Sequence, residues 1–297
     1  MRVAILGCGY VGLELGRQLA DDHDVIGVRR SESGVEAIES AGLTAVRADV
    51  TDGDSLAAVP DVDAVVFAAS SGGREASVAR QVYVEGQETA LATFGERANP
   101  PDRYLYTSST GVYGDHGGDW VDEETPLDPV TEKAAVLAEA ERVALDGAAE
   151  YGIDGTVARV AGIYGPGRTR IERYLDGPVV EGYRNTIHRD DVAGAVAFLL
   201  NQDLARGEVV LLVDDEPISR WTFADWLAEA CGEPAPEKQR VEERLDGTQS
   251  EATRRRLLTD KRCSNRKLRA LGYEFAYPTF REGYREAIAA FRDNKPA

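Results

Sequence analysis

The chain opens "MRVAILGCGYVGLELG", and this stretch constrains its fold more than any other. The apolar run "RVAIL" leads directly into Gly7, Gly9 and Gly12 in G-x-G-x-x-G spacing, and a helical pattern, "YVGLELGRQLADD", comes next. A first glycine in such a loop permits a tight turn. The second lets the main chain approach a pyrophosphate, and the third lets helix and strand pack closely. The helix that opens there offers unpaired amides and the positive end of its dipole to an anion. The spacing alone is a weak signal; a strand before it and a helix after it give it meaning. Gly7, Gly9, Tyr10, Val11 and Gly12 are therefore candidate contacts to a dinucleotide.

The first half of the chain continues the same alternation. "HDVIGV", "LTAVRAD", "VDAVVFAAS", "RYLYTSS" and "GTVARVAGIYG" read as strands, with helical patterns between them. Strands alternating with amphipathic helices predict an α/β, doubly wound parallel sheet of Rossmann type. The rhythm changes near Tyr164. A dinucleotide-binding domain is expected over residues 1–165 and a smaller substrate lobe over 166–297, with residues 186–213 returning to the core sheet. Residues 232–256, polar and poor in apolar side chains, read as a mobile insert or lid.

The ends of the strands carry the remaining cofactor candidates. The second strand runs into Arg29 and Arg30, where a carboxylate would bind a ribose 2′-hydroxyl. Guanidinium forks suit a 2′-phosphate, so NADP is expected over NAD, with two solvated arginines as the plain alternative. Asp49 and Val50 close the third strand, where an acid can meet an adenine amino group. Ala68 and Ala69 close the fourth, where small side chains admit a cofactor against the backbone.

Composition excludes several classes. The net charge is −18, with five lysines against 29 arginines, so long-range repulsion of phosphate polymers disfavours nucleic acid. This balance also suits a protein kept soluble in high salt, a halophilic habitat. No apolar stretch approaches the roughly 20 residues needed to span a bilayer, and no leader pattern precedes the first strand. Cys8, Cys231 and Cys263 are widely spaced and lack metal-ligand pairing, so reduced thiols, a cytoplasmic location and no metal are expected.

Four further segments, "LYTSSTGVYG", "ARVAGIYGPGR", "NTIHRDDVAGA" and "VVLLVDDEPISRWTFADWLAEACG", resemble successive motifs of the extended short-chain dehydrogenase/reductases, the NAD(P)-dependent epimerase/dehydratase group. The tail "KRCSNRKLRALGYEFAYPTFREGY" resembles an atypical branch. The resemblance implies that Ser109 holds a substrate oxygen and that a Y-x-x-x-K pair should follow. It does not. Val130 and Ala134 stand in one register, Pro129 and Lys133 in the other. The segment reads instead as helix initiation, with Asp128 as N-cap and Pro129 in the first turn. Tyr83 replaces the asparagine of the family's N-V-x-G-T motif. Tyr83, Tyr113, Lys133 and His188 are the candidate replacements for the missing acid, although for either tyrosine an aromatic filling the core or a cleft wall is the preferred reading. His188 resembles a family histidine that orients the loop before a helix capped by Asp190 or Asp191.

Arg168, Arg170, Arg173, Arg184 and Arg189 are candidates to hold an anionic group on a small-molecule substrate. The basic segment 254–269, "RRRLLTDKRCSNRKLR", is expected mainly to pair with the protein's own carboxylates. The resemblance implies a homodimer through the fourth and fifth helices. Two functions remain open at this level: an NAD(P)-dependent oxidoreductase or epimerase/dehydratase-like enzyme, and a non-catalytic NADP-binding sensor.

Overall fold

A computed structural model describes residues 1–73, 75–245, 247 and 250–293. Its central sheet has seven strands: β1 (Arg2–Leu6), β2 (Asp24–Arg29), β3 (Thr44–Arg47), β4 (Ala64–Phe67), β5 (Arg103–Ser109), β6 (Asp154–Val160) and β7 (Glu208–Leu212). Their order is β7-β6-β5-β4-β1-β2-β3. Pairing from β3 through to β6 is parallel, with Val3 opposite both Val25 and Ala64, and Phe67 opposite Tyr106. The strands are rich in Val, Ile, Leu and Ala because a parallel sheet is covered on both faces. Val3, Ala4, Ile5, Val65, Val66 and Leu105 have no exposed surface. From β1 the chain winds first toward β3 and then, from β4, toward the opposite edge. This makes the carboxyl ends of β1 and β4 the switch point where such sheets bind ligands.

The residues form two compact units interleaved in sequence. The first holds Met1–Val112, Glu132–Val160 and Val192–Val210; the second holds Tyr113–Thr131, Ala161–Asp191 and the chain from Leu211 onward. No helix among the described residues is long and apolar enough to cross a membrane.

Two helices of the first unit are bound to each other and to the sheet by polar side chains. One continues from Ala76–Arg80 through a π-turn, Gln81–Glu85, into Gly86–Gly95. The other is Glu132–Arg142. Gln87 donates its amide to the Tyr83 carbonyl at 2.6 Å and to the Ala140 carbonyl at 3.3 Å, and Arg80 pairs with Glu139. Glu141 ties the second helix to the sheet: Arg159 of β6 donates to it from Nε at 3.1 Å and Nη2 at 2.8 Å, and Ser108 of β5 donates at 2.6 Å. Glu141 and Arg159 are 3% and 5% exposed, so the pair is desolvated.

The second unit packs around Tyr164, Phe223, Leu227, Phe280 and Tyr284. Arg184 lies within this aromatic cluster, 3.9 Å from the Phe223 ring centroid, and donates to the Tyr284 hydroxyl at 2.8 Å. Buried Asp191 accepts from the amides of Ala276 at 2.7 Å and Tyr277 at 2.9 Å and from the Tyr273 hydroxyl at 3.0 Å, clamping the chain after Tyr273.

Several local expectations need correction. The helix expected from Asp128 and Pro129 begins at Glu132. The residue before a proline is disfavoured in helical geometry, and the Asp128 carbonyl is packed at Gly114, where a Cβ would come within 1.9 Å of it. Asp190 and Asp191 lie in the first turn of Arg189–Asn201 rather than capping it. Residues 232–256 contain regular structure. Lys238–Gln239 pairs with Val179–Val180, and Val241–Arg244 and the start of Glu251–Leu258 are helical. Residues 246, 248 and 249 of that stretch lie outside the described residues.

Two expectations arise from this packing. Glu141→Leu strands a buried guanidinium and should cost about 3–5 kcal/mol in urea unfolding, whereas Glu141→Leu with Arg159→Met should recover much of the loss. An unrecovered double variant would show that the packing, not the charge pairing, is the stabilising element. The second concerns Asp214 in the second unit. Burial pushes its carboxyl from 3.8 up to about 8, against opposing bonds from Thr186 and the Glu216 amide and the charge of Arg184. The folded protein therefore retains a proton that the unfolded chain releases. The stability due to Asp214 is complete below its ordinary value and is lost as pH rises through the folded one. Asp214→Asn should flatten the decline in stability between pH 3.8 and about 8; an unchanged slope in thermal unfolding counts against this.

Candidate active site

The glycine loop lies at the carboxyl end of β1. Gly7 has a φ of +86°, and the amides of Gly7 and Cys8 both donate to the Val28 carbonyl at 3.1 Å. A Cβ on Gly7 would sit 2.3 Å from the Ala69 Cα, so only a residue without a side chain admits β4's exit at this point. A Cβ on Gly12 would meet Ile5 Cγ2 at 3.0 Å and the Gly7 carbonyl at 3.3 Å, which accounts for the close seating of the helix Tyr10–Leu19 on β1. That helix has Gly9 at its N-cap, no side-chain cap and no acid in its first turn. Its amino end keeps the polarity that favours a diphosphate. The cradle thus fits the dinucleotide that the motif implies.

Arg29 reaches back over this loop. Its Nη1 donates to the Cys8 carbonyl at 3.3 Å and lies 2.8 Å from where a Cβ of Gly9 would stand. Arg30 points to solvent, 3.9 Å from an Asp49 oxygen. Ser31 caps the helix Glu32–Ser40, accepting from the Gly34 amide at 3.2 Å. Asp49 accepts from the amide and hydroxyl of Thr51 at 3.1 and 2.9 Å, which holds the turn after β3. Val50 packs into the first unit's hydrophobic core. Ala68 donates its amide to the Leu6 carbonyl at 2.8 Å, and Ala69 lies against Gly7, so both line the junction of β4 with the glycine loop.

Ser109 ends β5, and its hydroxyl accepts from the Gly111 amide at 3.1 Å. Since successive strand residues face opposite sides, Ser108 faces Glu141 while Ser109 faces away from it. Tyr83 and Lys133 come together through a residue that sequence reasoning missed. The Tyr83 hydroxyl accepts from the Ser71 amide at 3.2 Å and the Ser71 hydroxyl at 3.4 Å. Lys133 Nζ donates to Ser71 Oγ at 3.2 Å and to the Gly73 carbonyl at 2.6 Å, and lies 5.7 Å from the Tyr83 ring centroid. Burial raises the phenol's pKa, but bonds from Ser71 and Ser70 and the charge of Lys133 outweigh it, and the net direction is down. The one available signal for Ser71 was the run "SSGG" directly after β4.

Tyr113 and His188 belong to the second unit. Tyr113 is fully buried and donates to the Asp122 carbonyl at 2.6 Å. The buried His188 ring accepts from the Asp190 amide at 3.2 Å and packs 3.8 Å from the Tyr277 ring centroid. It lines a cavity of about 940 Å³ together with Gly165, Tyr277, Glu286 and Phe291. Of the arginines proposed for an anion, Arg184 is enclosed by aromatic rings and Arg189 pairs with Asp190 at 2.7 Å, whereas Arg168, Arg170 and Arg173 are exposed. In the basic segment, Arg255 pairs with Glu251 at 2.9 Å, Arg269 bonds Asp215, and Lys261 donates to the Gly114 carbonyl at 3.0 Å. The Arg256 side chain lies outside the described structure. Among the described residues no cluster of His, Cys, Asp and Glu could hold a metal.

Comparison with known proteins agrees with this geometry. The model of the NAD dependent epimerase/dehydratase family matches residues 3–231, and the chain belongs to that family. Protein YeeZ of Escherichia coli K12 is 31% identical over 290 residues, covering 93% of this chain and 96% of that protein. The 3β-hydroxysteroid dehydrogenase/Δ5→4-isomerase of Mycobacterium tuberculosis H37Rv is 32% identical over 276 residues, covering 79% and 70% respectively. The UDP-glucose 4-epimerase of Thermus thermophilus, solved in complex with NAD, shares the fold at a TM-score of 0.76 and 20% identity, covering 99% and 100% of the two chains.

Proposed function

We propose that the chain is an NAD(P)-dependent oxidoreductase or epimerase/dehydratase-like enzyme that acts on a small hydroxyl or carbonyl compound without a Tyr-x-x-x-Lys pair. The observation that carries this reading is the glycine cradle, built so closely that a single added carbon at Gly7 would meet the Ala69 backbone. Main-chain amides at the head of the helix Tyr10–Leu19 would hold the diphosphate, and Ala68 and Ala69 would leave room beside it. A bound nicotinamide dinucleotide supplies or accepts a hydride. Ser109 would orient the substrate oxygen from the end of β5, and a nearby acid must exchange the matching proton.

NADP is the preferred form in this reading. Arg29 lies on the glycine loop at the end of β2, where NAD-binding chains carry an acid. Losing a charge-assisted bond costs about 1.5–3 kcal/mol. Arg29→Gln should therefore weaken NADPH binding roughly 10- to 100-fold while changing NADH binding little, as read by calorimetry. Wild-type protein that binds NADH tenfold tighter than NADPH would refute the preference.

We also propose a homodimer through the helices that follow β4 and β5. The apolar side chain of Val78, 36% exposed on the first of these, supports such an interface. Val78→Asp should shift the mass measured by light scattering from dimer to monomer; an unaltered mass would argue against this surface.

A further inference from the structure

We propose that Tyr83, joined through Ser71 to Lys133, is the proton-exchanging group of this enzyme and replaces the absent Tyr-x-x-x-Lys pair from a different helix. The proposal rests on the dinucleotide-dependent reading above and names the acid that reading leaves open.

The arrangement of donors is directional. Lys133 Nζ donates to Ser71 Oγ, so the Ser71 hydroxyl proton is turned toward Tyr83. The Tyr83 oxygen also accepts from the Ser71 amide. It therefore receives two donors from Ser71, and the Ser70 side chain also bonds it. A phenol so placed can give that proton away, and the same two donors then stabilise the phenolate left behind. The 3.4 Å Ser71–Tyr83 contact is long for a neutral hydroxyl pair and has room to shorten once the acceptor is charged.

The surrounding helices hold the group for this purpose. Tyr83 lies in the middle of the π-turn Gln81–Glu85, and its carbonyl faces the Gln87 side chain. Single π-turns within α-helices concentrate at functional positions. The side chain of Gln87 satisfies that carbonyl and reaches the Ala140 carbonyl on the helix of Lys133. Tyr83 and Gln87, where the sequence departs from the family's N-V-x-G-T motif, thus belong to one construction. Ser70 and Ser71 follow β4 just as Ser109 closes β5, and these strands are adjacent and in register at Phe67 and Tyr106. The phenol and Ser109 accordingly belong to the same carboxyl edge of the sheet.

In the direction of reduction, the carbonyl carbon gains the hydride that the reduced dinucleotide supplies, and the carbonyl oxygen gains the Tyr83 proton. The phenolic O–H bond breaks. Ser71 returns a proton to the phenolate and is itself replenished by the Lys133 ammonium, which recovers a proton from water. The sum is one carbonyl, one hydride and one proton giving one alcohol.

The test has two arms. The ring carbon bearing the hydroxyl is labelled with carbon-13 in all tyrosines and followed by NMR across pH, with Tyr83→Phe identifying its signal. Tyr83 should titrate below the free-tyrosine value of about 10, and Lys133→Met should move it up by roughly one unit or more. A midpoint at or above the free value that Lys133→Met leaves in place overturns the proposal. In the second arm, NADPH oxidation is followed across a panel of carbonyl compounds. Tyr83→Phe should lower kcat by about 10²–10⁴ with little change in KM; undiminished turnover overturns the proposal. Dinucleotide binding by the wild type is measured alongside. Its absence defeats the cofactor reading and this proposal together, whereas binding with an unshifted Tyr83 defeats this proposal alone.

Discussion

The first unit is organised by a desolvated ion pair. Glu141, on the helix Glu132–Arg142, receives Arg159 from β6 and the Ser108 hydroxyl from β5, so one carboxylate holds one helix against two adjacent strands. A pair buried to this degree gains little over apolar packing of equal volume, but it tolerates no shift of partner. It therefore sets a helix position. Lys133 lies two turns before Glu141 on the same helix, and Ser109 follows Ser108 on the same strand. The placing of both chemical groups descends from a contact in which neither takes part.

Around this contact the structure brings main-chain atoms unusually close. Gly7 admits Ala69, and Gly155 admits the Ala144 carbonyl, which a Cβ would approach to 2.0 Å. The first approach brings the exit of β4 against the glycine loop, and the second seats the helical segment after Arg142 on β6. Because interiors are packed like crystals, such approaches leave no slack for a side chain to be added. The Ser70–Gly73 segment is constrained at one end by the glycine loop and at the other by Lys133 and Tyr83. That constraint gives Lys133 a defined position.

Membership of the family and conservation of its chemistry are separate questions here. The glycine loop and the strand order follow the family pattern, while Val130 and Ala134, or Pro129 and Lys133, stand where the resemblance leads one to expect a tyrosine and a lysine. A phenol and an ammonium are nevertheless found on one serine. Function follows the geometry of a site rather than the fold that carries it, and the spacing of a motif along one helix is only one way to bring two side chains together.

The sequence by itself determined the doubly wound sheet and the dinucleotide loop. Both depend on short-range regularities: alternating strand and helix periods, and glycines so closely spaced that their effect is felt within a single turn. It also determined that Pro129 and Val130 could not be the acid, since neither carries an ionisable group. The Asp128 helix start was misread, because the packing of its carbonyl at Gly114 is a contact between segments that local propensity does not register. Gln87 and the Glu141–Arg159 pair were likewise invisible, being ordinary polar residues on separate elements, and Ser71 had only the run "SSGG" to mark it. Only the tertiary structure decided that Tyr83 and Lys133, on separate helices, share a partner. Register between helices is set by buried polar bonds and close backbone approach, and no period in the chain encodes where those will fall.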